Sequence, residues 1–261
     1  MKKNNAKKII CLILIASLTA GMLCGCSVKN EDNSEDNKRP NSNKTEFNND
    51  ETKVEPTEEN KESAYDIIKK EDAVLGNIVK FGLYEQDNNL DNGREVIEWR
   101  VISVNDKSAM LITEKCIDAI AFDESNSDTW KGSTIRKWLN DTFYNSAFPK
   151  GADIILENTL TNSRGGDTND FVFLLNEKEV KAKLHVGNTT TGASAYCTEY
   201  AASKDDYLTA DKAVIWWLRS QPAALYNAQT VLGSGKIQTG GNSIWYNHIC
   251  VRPVIVVKLE Q

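Results

Sequence analysis

The chain has 261 residues, and its 31 lysines and arginines against 37 aspartates and glutamates leave a formal net charge of -6 at pH 7. No basic stripe or patch accompanies that balance, so nothing suggests nucleic acid as a partner and none is expected, and the 2 histidines are too few for a multi-histidine metal centre. Large apolar side chains are nearly absent from residues 27–66, so this stretch cannot bury enough surface to offset the entropy of ordering it. About 190 residues remain for a single core.

The N-terminus reads as an export signal. Lys2, Lys3, Lys7 and Lys8 make a positive segment, and residues 9–23 are an apolar run below the length of a spanning helix. The run closes on Leu23-Cys24-Gly25-Cys26, which resembles a bacterial lipobox. That resemblance implies a lipoprotein signal peptide over 1–25 and lipidation of Cys26; cleavage at another small residue, giving a plain secreted protein, is the alternative. A diacylglyceryl thioether with an N-terminal acyl chain such as palmitate buries enough methylenes for stable anchoring. The expected address is the extracytoplasmic face of the cell membrane, with residues 26–66 as a disordered polar tether of roughly 35 Å reach.

The globular part is expected over 67–261. A short helix is predicted over 63–70, and alternating apolar and polar residues predict a strand over 77–84. A turn over 87–93 leads to a strand over 96–104, and Asn105-Asp106-Lys107 reads as a hairpin turn into a partner strand over 108–117. Ser133 is placed to cap a helix whose Ile135, Trp138, Leu139 and Phe143 share one face and which ends near Ala147, before Pro149. A polar Gly-Gly loop follows over 162–170. Asn176 with Glu179 three residues later is the capping-box pattern, opening a helix over 177–184.

Residues 213–259 organise the rest. Two apolar runs, 213–220 and 250–257, read as core strands separated by Gly-rich hairpins. In Gly233-Ser234-Gly235-Lys236 the next residue is Ile237 where a phosphate loop needs Ser or Thr, so this is a hairpin turn. Arg219 and Arg252 interrupt the apolar runs and must find carboxylate or carbonyl partners; with Trp216 and Trp217 they are expected to fix the fold.

Six motifs carry a family resemblance: residues 76–82 (GNIVKFG), 97–101 (IEWRV), 130–140 (WKGSTIRKWLN), 173–175 (FLL), 216–220 (WWLRS) and 251–253 (VRP). In this order they resemble the domain-of-unknown-function 6273 family of bacterial surface proteins, over about residues 76–259. The order of elements also resembles, more distantly, the C-type-lectin-like fold shared with formylglycine-generating-type domains. That second resemblance implies an α+β domain with antiparallel strands, two flanking helices and a late tryptophan-rich hairpin and loop region that carries the binding surface.

Cys116, Cys197 and Cys250 remain for the exported domain, where a disulfide is permitted and an odd count leaves at least one thiol free. The close C-terminal cysteine pair of the sulfatase-modifying relatives is missing, and no Gly-x-Ser-x-Gly elbow is present, so no catalytic residue is assigned and a non-catalytic role is expected. The lectin resemblance raises calcium as a cofactor, but Trp245-Tyr246-Asn247-His248 lacks the acid of the lectin motif; Asp123, Asp128, Asp167 and Asp170 offer oxygens in loops that ordinary turns also use. His248 and Cys250 make only two adjacent metal-ligand types, so no metal site is assigned. The remaining candidate is a binding surface of Tyr226, Asn242, Trp245, Tyr246, Asn247 and His248, because flat rings and amides suit recognition of sugars or proteins. The competing reading packs Trp245 and Tyr246 on the core beside Trp216 and Trp217. The expected function is a lipid-anchored ligand-binding or adhesion domain for an envelope glycan or surface protein; the alternatives are an envelope enzyme of the sulfatase-modifying-like fold or a structural assembly protein.

Overall fold

A computed structural model describes residues 64–185 and 191–260; the predicted signal peptide, Cys26 and nearly all of the tether lie outside them. The expected helix over 63–70 does not form in its described part. Residues 64–70 make a turn and an isolated bridge, Lys69 to Glu260. The stretch is too short to offset helix nucleation, and its carbonyls find tertiary donors instead: Ala64 accepts from Gly82 N at 2.7 Å and Ile68 from Glu260 N at 3.3 Å.

Strand β1 (Ile78–Tyr84) follows, with Val79 and Phe81 buried. Gly82 sits at φ 75°, and the pairing register slips between Lys80 and Leu83, so the strand bulges where only glycine fits comfortably. Strand β2 (Glu95–Val104) turns into β3 (Ser108–Thr113) through Asn105, whose Oδ1 accepts from Lys107 N and Ser108 N at 2.9 Å each. After β4 (Asp118–Ala119) comes α1 (Thr134–Trp138), capped by Ser133 Oγ, which accepts from Arg136 N. A π-helical turn (Leu139–Phe143) continues into α2 (Tyr144–Ala147). Ile135, Leu139, Phe143 and Ala147 are all fully buried, the four-residue ladder of a helix laid on a core.

Strands β5 (Asn158–Leu160) and β6 (Thr168–Asp170) pair across the polar Gly-Gly loop, and β7 (Val172–Phe173) follows. The capping box then forms as read: Asn176 Oδ1 accepts from Glu179 N, and Glu179 Oε2 from Asn176 N, both at 2.8 Å, opening α3 (Glu177–Lys183). A short α4 (Glu199–Ala202) precedes β8 (Trp216–Trp217), β9 (Asn227–Val231), β10 (Ile237–Ser243), β11 (Cys250–Val251) and β12 (Val254–Lys258).

The domain is mixed α+β, and among the described residues every strand pairing in its sheets is antiparallel except that between β8 and β11. One five-stranded sheet has the order β1-β2-β3-β12-β7, and a second the order β10-β9-β8-β11-β4. The run 250–257, expected as one core strand, is divided. Arg252-Pro253 breaks it, β11 lying in the second sheet and β12 in the first. Proline has no N–H to give a ladder, so the chain uses that position to cross from one sheet to the other. The run 213–220 is likewise strand only at Trp216–Trp217. Trp216 faces Cys250 in parallel register, so the tryptophan doublet and the C-terminal run are neighbours, though joined by no hairpin. Both indoles are fully buried; each removes roughly 200 Å² from water, worth about 5 kcal/mol before entropy.

Candidate functional site

The four residues expected to fix the fold are all interior. Trp216 Nε1 donates to Ala193 O and Trp217 Nε1 to Ile120 O, both at 2.9 Å. Arg219, 3% exposed, forms a two-pronged pair with Glu179 through Nη1 at 3.0 Å and Nη2 at 2.8 Å. Arg252 donates through Nε to Thr113 O at 2.9 Å and through Nη2 to Glu114 O at 3.2 Å, with its guanidinium 5.4 Å from the Trp216 ring centre. Burial pulls both guanidinium groups below their ordinary pKa range.

Beside the Arg219–Glu179 pair opens a polar cleft of about 290 Å³, with Asn162, Ser163, Glu177, Arg219, Gln221 and Gln229 among its walls. Three atoms on these walls are buried and without a hydrogen-bond partner: Asn162 Oδ1, Arg219 Nε and Gln229 Oε1. Leaving a buried polar group unpaired costs about 1–3 kcal/mol, so this wall carries a local cost that the Arg219–Glu179 pair helps to offset. Glu177, on the same wall, accepts from Lys181 and from Gln229 Nε2, and these bonds hold its carboxyl below the usual carboxylate range.

The expected binding surface lies on the loop after β10. Trp245, Tyr246 and Asn247 are exposed, and Ile244 between them and the hairpin is fully buried. Ile244 N donates to Tyr226 O at 3.0 Å, and Ile244 O accepts from Asp123 N at 3.1 Å. Ile244 and the equally buried Ile249 anchor the two ends of the loop and leave the rings between them outward. Trp245 stacks on Tyr226 with centroids 5.5 Å apart and planes at 23°, and Tyr246 stacks on His248 at 5.1 Å and 26°. Tyr207, 86% exposed, has its ring centre 5.7 Å from that of His248, tilted at 54°. The reading that packs Trp245 and Tyr246 onto the core is therefore overturned: they are 48% and 46% exposed, whereas Trp216 and Trp217 are fully buried. Asn242 is not part of the open rim, since its Nδ2 is spent inside the hairpin on Thr230 Oγ1 at 2.8 Å.

The rings and the cleft are joined by polar contacts. Tyr226 N donates to Asp128 Oδ2 at 3.3 Å, Arg164 pairs with Asp128 at 3.1 Å, and Ser163 beside Arg164 donates to Gln221 Oε1 at 3.4 Å. Tyr226 takes a left-handed conformation at φ 57° to reach this position, a strain typical of functional loops.

Three of the loop acids considered for calcium are occupied by the protein's own donors. Asp123 accepts from Ser125, Ser127 and Thr134, and Asp170 from Trp130 Nε1, Arg136 Nε and Thr168 Oγ1. Asp128 is paired with Arg164, as above. The three cysteines are free, buried and gathered together. Cys116 and Cys197 form a backbone bridge, and Cys197 Sγ donates to Thr209 O at 3.6 Å. The neighbouring thiols and burial push the Cys250 thiol up, while the nearness of Cys250 draws Cys197 down. His185 is spent on Gly235 O at 3.1 Å.

Among the described residues no helix is long and apolar enough to cross a membrane. No curated protein and no solved structure matches the chain. The family profile for Domain of unknown function (DUF6273) matches residues 106–259, from the β2–β3 turn to the end of β12. The motifs in β1 and β2 thus precede the matched segment, while the four later motifs fall within it. With more than half of the chain matched, the protein belongs to the DUF6273 family.

Proposed function

We propose that this protein is a lipid-anchored, extracytoplasmic binding module of C-type-lectin-like architecture that recognises an envelope glycan without chemically changing it. The observation that carries the reading is the pair of exposed ring stacks, Tyr226 on Trp245 and Tyr246 on His248. Rings held in stacks present flat apolar area with little rotamer entropy left to lose, which suits the apolar face of a sugar ring. The adjoining cleft is lined by polar side chains that include both donors and acceptors, Asn162, Ser163, Gln221 and Gln229 among them, matching hydroxyls that both give and accept.

The lectin-like architecture is supported by the return of β12 beside β3, which brings the end of the domain back to its first strands. It is supported also by the position of the late hairpin and ring-bearing loop, outside that sheet. The lipid anchor rests on the Leu23-Cys24-Gly25-Cys26 sequence, and the tether would hold the ring surface off the membrane.

The test is glycan-array binding of the protein beside a Trp245→Ala, Tyr246→Ala double variant. Binding to a defined set of glycans that falls at least tenfold in the variant is the expected result. No glycan binding by the parent, or binding that the double variant retains, refutes the proposal; retention of a surface protein in place of a glycan would move the site to protein recognition.

A further inference from the structure

Strand β2 slips in register against β3 between Val101 and Ser103, and a bulge of this kind bends the strand and re-aims its side chains. Residues 76–77 hold the bend: Gly76 N donates to Val101 O at 2.8 Å, and Val101 N donates to Asn77 O at 2.9 Å. Consecutive residues of a regular strand face opposite ways, but here Val101 and Ile102 both line one pocket of about 350 Å³. Leu75 and Leu184, the residue that caps the end of α3, complete its apolar wall. The volume falls in the range of small-ligand sites, roughly 300–1,000 Å³.

The rest of the wall is cationic. Among the described residues it holds three bases, Arg100, Lys183 and Arg252, against one acid, Glu114. The Glu114 carboxylate is already committed to Arg100, whose Nε donates to Oε2 at 2.7 Å and whose Nη2 donates to Oε1. Arg252, 2% exposed, is left with neutral acceptors: the carbonyls of Thr113 and Glu114 take its Nε and Nη2, and its Nη1 has no partner. Two guanidinium groups thus share one carboxylate. Burial lowers the Arg252 pKa most, and the Arg100 charge adds to that while the Glu114 charge opposes it. A buried charge without a counter-ion of its own is costly. Lys183, in the last turn of α3, forms no ion pair among the described residues. The pocket therefore sets a surplus of positive charge beside an apolar wall.

We propose that this pocket binds a small organic monocarboxylate with an aliphatic body, the carboxylate held between Arg100 and Lys183 and the hydrocarbon laid on Leu75, Val101, Ile102 and Leu184. The remaining N–H groups of Arg100 and the Lys183 ammonium supply charge-assisted hydrogen bonds. The buried Arg252 acts through its field, which salt screens little at that depth. A bare inorganic anion would meet the charge but leave the apolar wall wet, so head and body are both required. The pocket shares no residue with the polar cleft or the ring surface, and the inference stands independently of glycan recognition.

The experiment titrates full-length protein with hexanoate by calorimetry and ligand-observed NMR, with hexanamide and acetate as comparisons. A Kd on the order of 10⁻³ M is expected for hexanoate, in keeping with the efficiency of ligands this small, and binding at least tenfold weaker for the amide and for acetate. Lys183→Glu and Leu75→Glu each place a carboxylate on the pocket wall and should lose at least tenfold in hexanoate affinity while melting within a few degrees of the parent. Leu75 is 68% exposed, so its replacement leaves the core intact. Lys150→Glu, exposed and outside the pocket, makes the same change in net charge as Lys183→Glu and should bind as the parent does. The Trp245→Ala, Tyr246→Ala double variant should bind hexanoate unchanged. Absence of hexanoate binding by the folded parent overturns the proposal, and so does amide or acetate binding as tight as that of hexanoate. Unchanged affinity in either glutamate variant, or loss of binding in the double ring variant, overturns the placement.

Discussion

Replacing Glu179 by alanine should be among the most damaging single changes near the cleft. Glu179 holds both prongs of Arg219 at 2.8 and 3.0 Å, and its side chain is 22% exposed against 3% for Arg219. Removing one partner of a buried pair costs about 3–5 kcal/mol because the other charge stays buried without compensation. Partial exposure on the Glu179 side places the value near the lower end, about 3 kcal/mol. The same carboxylate closes the capping box by accepting from Asn176 N at 2.8 Å, and that loss adds about 0.5–1 kcal/mol. The sum, about 3–4 kcal/mol, lowers the melting midpoint by roughly 10 °C for a domain of this size. Urea unfolding followed by tryptophan fluorescence reads it as a drop in midpoint at constant slope. A double variant, Arg219→Met with Glu179→Gln, removes the stranded charge and keeps a capping side chain, so it should recover at least half of the loss. A cost below about 1 kcal/mol for Glu179→Ala, or a double variant no more stable than the single, would refute the assignment of this pair as a buried structural one.

Four further outcomes are expected. Burial raises the Asp118 carboxyl above the ordinary carboxylate range, with the bonds from Tyr84 Oη and Ala119 N opposing it; the native state therefore holds that proton more tightly than the unfolded chain, and its contribution to stability falls as pH rises past the unfolded pKa of about 3.9. Asp118→Asn should accordingly gain on the parent in melting temperature between pH 4 and pH 7, and a constant difference would contradict this. Gly82→Ala should cost about 1–3 kcal/mol, since φ is 75° and a Cβ would lie 2.5 Å from Phe148 Cε1; chemical denaturation with an unchanged midpoint would count against the bulge argument. Site-resolved alkylation should find Cys116, Cys197 and Cys250 protected until denaturant is added, and native labelling of any of them would contradict their burial. Cys26→Ala should move the protein from the membrane fraction and abolish labelling by a palmitate analogue; retention at the membrane would remove the lipid anchor.

How much of this was legible depended on whether the determining interactions were local. Asn176 and Glu179 announced their helix because a capping box is a three-residue affair, and Asn105 announced its turn for the same reason. The arginines in apolar runs were readable as paired groups, but their partners were not: Glu179 lies 40 residues from Arg219, and Thr113 lies 139 residues from Arg252. The break in the terminal run was signalled by Pro253, yet the change of sheet depends on which strands stand on either side. In the ring-bearing loop, composition shows rings and amides together but not which way they face; the buried Ile244 and Ile249 at its two ends decide that. The cleft was hidden altogether, because Asn162, Glu177, Arg219 and Gln229 come from four separate stretches and none is unusual alone. The loop over 87–93 reads as a turn, and it forms one because Asp87 and Asn89 accept from backbone N–H groups two residues on.

The crossing at Arg252-Pro253 has a consequence for how the chain comes to be folded. Strand β11 sits between β8 and β4, and β12 between β3 and β7, so each sheet keeps a vacant interior lane until residues 250–258 arrive. An emerging polypeptide could close its early hairpins, but neither sheet could become continuous beforehand. The contacts that make both sheets continuous are therefore long-range ones that residues 250–258 alone can supply.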